Sequence, residues 1–151
     1  MSTATLQSQV QTDAAAILAL LDSMLQANRD KDAAAFAACF APDAAVYNLA
    51  PPLIHHGIDV EEKQAWLDSW ATPVDLEPRD FSVNVSGDVA FCHGFLRMTG
   101  TKMGAEGAVR FWMRETLCLE RLGGEWKIVH EHTSVPFYMD GTLRPAFDLE
   151  P

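Results

Sequence analysis

Apolar positions recur at two different periods along this chain, and the change of period marks its elements. From Thr12 to Arg29 the residues Ile17, Leu18, Leu20, Leu21, Met24 and Leu25 follow helical spacing, which predicts a helix capped by Thr12 or Asp13. Asn28 to Asp32 breaks the pattern. A shorter helix is expected from Asp32 to Phe40, with Asp32 as its cap and Phe36 and Phe40 on one face. After Pro42 and Asp43 the pattern becomes a strand, Ala45 to Asn48. Pro51 and Pro52 interrupt it, and Leu53 to His56 reads as a returning arm ended by Gly57. Asp59 to Trp70 is helical again. Asp59, Glu61 and Glu62 fall in its first turn, where carboxylates suit the helix dipole; Trp66 and Trp70 share a face, and Pro73 ends the helix.

From here the period is two. Strands are expected over Leu76 to Ser86 and Val89 to Lys102, followed by a hairpin from Val109 to Pro136 that turns at Gly123-Gly124. Alternation assigns Phe111, Met113, Glu115, Leu117 and Leu119 to one face of the first hairpin strand. Arg110, Trp112, Arg114, Thr116, Cys118 and Glu120 take the other. On the return strand Lys127, Val129, Glu131 and Thr133 separate from Trp126, Ile128, His130, His132 and Ser134. Both faces carry large or interacting side chains. Helices should therefore cover one side, and a partner subunit or an internal cavity should meet the other. Three helices and a long antiparallel meander predict an α+β domain over residues 1–151, with its core at about 14–136 and a surface arm at 137–151.

Composition narrows the function classes. The chain has 151 residues, 48% of them hydrophobic, which suits one sizeable core. No apolar run approaches the roughly 20 residues of a membrane helix, and Met1 to Asp13 is polar, so a cytoplasmic protein is expected. The formal net charge is −10 and no Lys/Arg run is present, which argues against a nucleic-acid partner. Cys39, Cys92 and Cys118 lack metal-ligand spacing and read as buried thiols.

Three stretches resemble a known family: F-A-P-D-A-A-V-Y from Phe40, D-V-A-F-C-H-G-F-L-R-M-T from Asp88, and R-E-T-L-C-L-E-R-L-G-G-E-W-K-I-V-H-E-H-T-S-V-P from Arg114. They are similar to the nuclear transport factor 2-like superfamily, and within it to SnoaL-like and ketosteroid isomerase-like bacterial proteins. They also resemble the association domain of calcium/calmodulin-dependent kinase. The resemblance implies a cone in which three N-terminal helices pack on a curved, mostly antiparallel sheet. It also implies an internal pocket and a homodimer through the outer sheet face. Laid on ketosteroid isomerase, the base position falls on Asn48 and the oxyanion-hole positions fall near Met24 and Met113, so steroid isomerisation is not expected. Laid on the kinase domain, Arg97 takes the place of a pocket arginine. Met113, Glu115, Leu117, Glu131 and Thr133 then turn towards the cavity.

Arg97, Glu115 and Glu131 are thus expected together on the concave face. They form either a structural ion-pair cluster or a site in which a carboxyl of raised pKa serves as acid or base. Glu115, beside Arg97, would stay ionised, leaving Glu131 as the better proton shuttle. Trp66, Trp70, Tyr47, Phe36 and Phe40 are core, pocket wall or both, and His93 shares a face with Arg97 as a second partner. His130 and His132 point outward, to a dimer interface or structural hydrogen bonds; with no third ligand, no metal is expected. His55 and His56 lie near the mouth. The expectation is a cofactor-independent, homodimeric protein binding a small molecule. The alternative is an isomerase, dehydratase or cyclase that uses Glu131 or a histidine as acid/base. A purely oligomeric scaffold is a third possibility.

Overall fold

The computed structural model describes residues 3–151, and the side chains from residue 7 onward. Helix α1 spans Thr3–Arg29. It begins well before Thr12, so neither Thr12 nor Asp13 is its cap. Thr12 Oγ1 instead donates back to Ser8 O (3.0 Å), and Asp13 accepts from Arg121 Nη2 across the molecule (2.6 Å). Ile17, Leu21, Met24 and Leu25 are buried along one stripe of α1, and Asn28, fully buried, continues it. The chain reverses at Lys31, in the left-handed region at φ 57°. Helix α2, Ala33–Ala37, is capped by Asp32, whose side chain accepts from Ala35 N (2.9 Å). It is shorter than predicted because Phe40 already belongs to strand β1, Phe40–Tyr47.

Strand β2 is the short pair His55–His56, antiparallel to β1. Helix α3, Val60–Asp68, follows with Asp59 as its cap, accepting from Glu62 N (2.9 Å). The long strands are β3 (Asp75–Ser86), β4 (Val89–Gly100), β5 (Val109–Leu122) and β6 (Glu125–Ser134). They form a six-stranded sheet in the order β2-β1-β6-β5-β4-β3, antiparallel throughout except that β1 runs parallel to β6. The β5–β6 hairpin closes on Gly123 (φ 59°) and Gly124 (φ 90°). Two consecutive positive φ values make the tight turn that matches strand twist, and glycine accepts them without steric cost.

Two irregularities alter which side chains face inward. The β5–β6 register moves from Cys118↔His130 to Leu119↔Ile128, leaving Val129 as an extra residue. This bulge reverses the strict alternation expected for β6. Trp126 and Ile128 join Leu117 and Leu119 in the buried core, and beyond the bulge Glu131 and Thr133 turn inward. A second register shift between Arg79 and Ser82, with Asp80 at φ 52°, bends β3.

The apolar core has two parts. One joins Ile17, Leu21, Met24, Phe36, Val46, Leu117, Leu119 and Ile128; the other joins Trp70, Val74, Leu96, Met98, Phe111 and Met113. On β5 they meet at Glu115, between Met113 and Leu117. The arm at 137–151 folds back on itself: Tyr138 N donates to Arg144 O (2.9 Å) and Ala146 N to Pro136 O (2.9 Å). Ala146 is buried, and the Phe147 ring lies 4.5 Å from that of Phe111, so the arm is partly packed.

Gly57 sits at φ 72° and donates its N–H to Ala44 O (2.8 Å). A Cβ there would lie 2.2 Å from Pro42 O, a backbone atom. Gly57→Ala is expected to destabilise the fold by about 1–3 kcal/mol. Urea denaturation monitored by tryptophan fluorescence measures this through the midpoint at unchanged slope.

Candidate functional site

A cavity of about 350 Å³ lies between the two parts of the core. Its apolar wall includes Met24, Phe36, Val46, Trp66, Trp70, Leu96, Met98, Phe111 and Met113. Its mouth is formed by the loop after β1, with Asn48, Leu49, Ala50 and Pro51, and by Asp59 and Glu62 at the start of α3. Polar groups converge from three directions: Glu115 from β5, Glu131 and Thr133 from β6, and Asn28 and Lys63 from the helices.

Glu115 is 3% exposed. Directly opposite it on β6 is Thr133, and Glu131 is the diagonal neighbour, paired with Leu117. The two carboxyls hydrogen-bond each other, which requires one proton between them. Burial pushes Glu115 well above the usual carboxylate range, and the charge of Glu131 pushes it further. Burial also raises Glu131, but the ammonium of Lys63 and the hydrogen bond from Glu115 work against that rise. The shared proton therefore resides on Glu115, and Glu131 is the ionised member.

Lys63 faces this pair from α3. Its Nζ donates to Asn28 Oδ1 (2.9 Å) and sits 3.9 Å from the Phe36 ring centroid and 4.6 Å from that of Trp66. Asn28 is oriented in turn by donating Nδ2 to Val74 O (2.9 Å). Burial lowers the Lys63 amine from 10.5 to about 8, against the opposing pull of Glu131. Among the described residues no ion pair joins Lys63 to either glutamate. The cavity thus separates one cation from one hydrogen-bonded acid pair. Trp70, in the wall, has a buried Nε1 with no acceptor. His55 lines the cavity, whereas His56 is exposed.

Three expected site residues lie elsewhere. Arg97 is opposite Trp112 and Glu77 in the register, on the convex face; it pairs with Glu77, and its guanidinium lies 5.5 Å from the Trp112 ring centroid. Its neighbours Leu96 and Met98 are the ones that face the cavity. The cluster of Arg97 with Glu115 and Glu131 therefore does not exist, and Glu115 is not held ionised by an arginine. His93, exposed on the same convex face, stacks on Phe91 with centroids 6.3 Å apart. Tyr47 is also convex, 39% exposed and edge-on to His130 (4.8 Å) and His132 (5.6 Å). His130 and His132 point outward, and His130 Nδ1 donates to Ala45 O (2.7 Å). No group of three or more His, Cys, Asp or Glu able to hold a metal ion occurs among the described residues.

Met113, Glu115, Glu131, Thr133, Trp66 and Trp70 do line the cavity, together with Met24 and Asn48. Lys63 and Asn28 were missed by sequence reasoning. A signal for each is present: Lys63 precedes Trp66 and Trp70 at i, i+3 and i+7, and Asn28 continues the apolar stripe of Leu21 and Met24.

The SnoaL-like domain profile matches residues 17–138. The chain belongs to the SnoaL-like domain family. Among solved structures this SnoaL-like domain is similar to an NTF2-like protein of unknown function from Pseudomonas putida KT2440, with 28% identity, a TM-score of 0.81, and coverage of 93% of this chain and 98% of that one. It is similar in fold to a candidate scytalone dehydratase from Novosphingobium aromaticivorans, with 14% identity, a TM-score of 0.75, and coverage of 90% and 92%. A ketosteroid isomerase-like protein from Erwinia carotovora atroseptica shares the fold at 22% identity, with a TM-score of 0.67 and coverage of 81% and 95%. No curated protein matches the chain.

The folded state holds the Glu115 proton more tightly than the unfolded chain does. This carboxyl therefore adds stability below its ordinary value of 4.5, and that contribution is withdrawn as pH rises through the folded value. Glu115→Gln, which mimics the protonated form, is expected to weaken the loss of thermal stability between about pH 5 and about pH 9. Melting curves at the two pH values check this, and identical pH dependence in both proteins would count against the shared proton.

Proposed function

We propose that this SnoaL-like domain binds a small, mostly apolar, uncharged molecule bearing a carbonyl or hydroxyl group, and moves a proton on it without a cofactor. Glu131 is the base and Glu115 holds the proton it shares. The observation that carries this reading is the hydrogen-bonded pair of buried Glu115 and half-buried Glu131 opening onto a cavity of about 350 Å³. With Glu115 protonated, Glu131 ionised and Lys63 charged, the polar end is electrically balanced. A charged ligand would upset that balance in a low-dielectric space, whereas a neutral one would not. The apolar wall supplies the binding area, and Thr133 and Asn48 are available to orient the ligand's oxygen.

The chemistry follows from the pair. Glu131 removes a proton from a carbon next to the carbonyl or hydroxyl carbon, and the proton is returned to another carbon or to a departing oxygen. The first outcome is an isomerisation and the second a dehydration. The names of the two neighbouring proteins, an isomerase-like protein and a candidate dehydratase, agree with this class by analogy of fold.

We also assign the convex face, which carries Phe91 (49% exposed), Phe95, Trp112 and Tyr47, to contact with a second copy in a cytoplasmic homodimer. Sedimentation equilibrium should return twice the chain mass, and Phe91→Glu should return it to one.

The catalytic reading is tested by incubating the protein with a panel of small cyclic ketones in deuterated water and following exchange next to the carbonyl by NMR. Glu131→Gln is expected to slow exchange by about 10²–10⁴-fold. Exchange by the wild type no faster than by the variant, across the panel, would remove the proton-transfer role. Arg97→Ala, on the far side of the sheet, should leave the rate unchanged.

A further inference from the structure

Lys63 is not explained by charge balance alone. The other three lysines spend their ammonium groups on protein acceptors at the edges of the fold: Lys31 on Trp70 O (2.6 Å), Lys102 on Ser69 Oγ (2.7 Å) and Lys127 on Ala38 O (2.8 Å). Lys63 alone lines the cavity, held against two aromatic rings and given one neutral acceptor, Asn28 Oδ1. An ammonium has three donors, so two N–H groups remain without a protein acceptor at the cavity wall. Once the ammonium gives up a proton, its nitrogen lone pair is presented to the cavity.

We propose that Lys63 is a nucleophile that forms a Schiff base with an aldehyde or ketone held in the cavity. The proposal rests on the reading of Glu115 and Glu131 as the site's proton donor and acceptor. The Lys63 ammonium first gives its extra proton to Glu131, and in the first step the freed Nζ lone pair attacks the carbonyl carbon. A C–N bond forms, the C=O π pair moves to oxygen, and the carboxyl pair gives that oxygen a proton while nitrogen returns one to the pair. In the second step a further proton from the pair lets the C–O bond break and water leave, and the nitrogen lone pair closes the C=N bond. Ammonium and carbonyl thus become iminium and water, and no oxidant or reductant is consumed. The resulting iminium would replace the Lys63 charge without changing the balance opposite Glu131.

The amine's protonation is compatible with this role. Burial brings it to about 8, so a substantial fraction is neutral slightly above neutral pH. The titratable groups around it are Glu115 and Glu131 from the sheet, His55 from β2, and Asp59 and Glu62 from its own end of α3.

The test uses the intact protein with 2-naphthaldehyde and sodium cyanoborohydride, which reduces an imine to a stable secondary amine, followed by peptide mapping by mass spectrometry. Lys63 is expected to be labelled at least about tenfold faster than Lys31, Lys102 or Lys127 near neutral pH, at a rate rising through about pH 8. Lys63→Arg, which keeps the charge but cannot form the imine, should abolish that fast phase while circular dichroism shows a folded protein. Glu131→Gln should slow it. Labelling spread evenly over the lysines, or absent from Lys63, would overturn the proposal. If Lys63 stays unlabelled while Glu131→Gln still suppresses deuterium exchange, the Schiff base is refuted and the acid–base reading stands. Fast Lys63 labelling with no Glu131-dependent exchange supports the amine and refutes the acid–base reading instead.

Discussion

Strand β5 is hydrogen-bonded along both edges, to β4 and β6, and its alternation decides what the inside of this molecule contains. Each inward position on β5 sets a level of the core. Phe111 and Met113 belong to the part under Trp70 and Val74, and Leu117 and Leu119 belong to the part under α1. Glu115 is the level between. A one-residue slip would exchange this series for Trp112, Arg114, Thr116 and Cys118 and bury a guanidinium in place of the carboxyl. The apolar residues on either side of Glu115 thus hold in place the least favourable group in the fold.

That group is tolerated because its surroundings let it stay neutral. A lone ionised carboxylate at 3% exposure would cost far more than a protonated one. Glu131 accepts the Glu115 proton, Lys63 offsets the remaining negative charge across the cavity, and Asn28 fixes Lys63 from a fully buried position on α1. The chain of contacts runs from sheet to cavity to helices α3 and α1. Structure and candidate chemistry depend on the same arrangement: a low-dielectric site shifts these groups towards values useful for proton transfer, and the shift requires the cavity to be closed on its apolar sides.

The convex face was partly misassigned for a reason specific to sheets. Directly opposed residues on neighbouring strands share a face, so the side on which Arg97 lies depends on whether it is paired with Trp112 or with one of the residues flanking it. The connection from β4 to β5 is too long and irregular to imply that parity, unlike the two-residue turn at Gly123-Gly124. The same uncertainty moved His93 outward with Arg97. Tyr47 depended on a parallel pairing between β1 and β6, two strands far apart in sequence.

Local pattern was enough for the element types, because helical and strand periodicity, Asp caps and Gly turns act over a few residues. The Asp32 cap, the four long strands and the paired Gly turn are readable without coordinates, and alternation groups Met113, Glu115 and Leu117 on one face, which the family resemblance turns inward. Helix lengths were less legible, since nothing local announces that α1 starts before Thr12 or that Phe40 leaves α2 for β1. The bulge at Val129 was invisible for a different reason: it satisfies the burial of Trp126 and Ile128 and the inward aim of Glu131 together, a demand set by what lies across the core. Only the tertiary structure could bring Lys63, Asn28 and the two glutamates to one cavity. Charge balance among groups 16 or more positions apart is a property of distance in space, to which hydrophobic periodicity is blind.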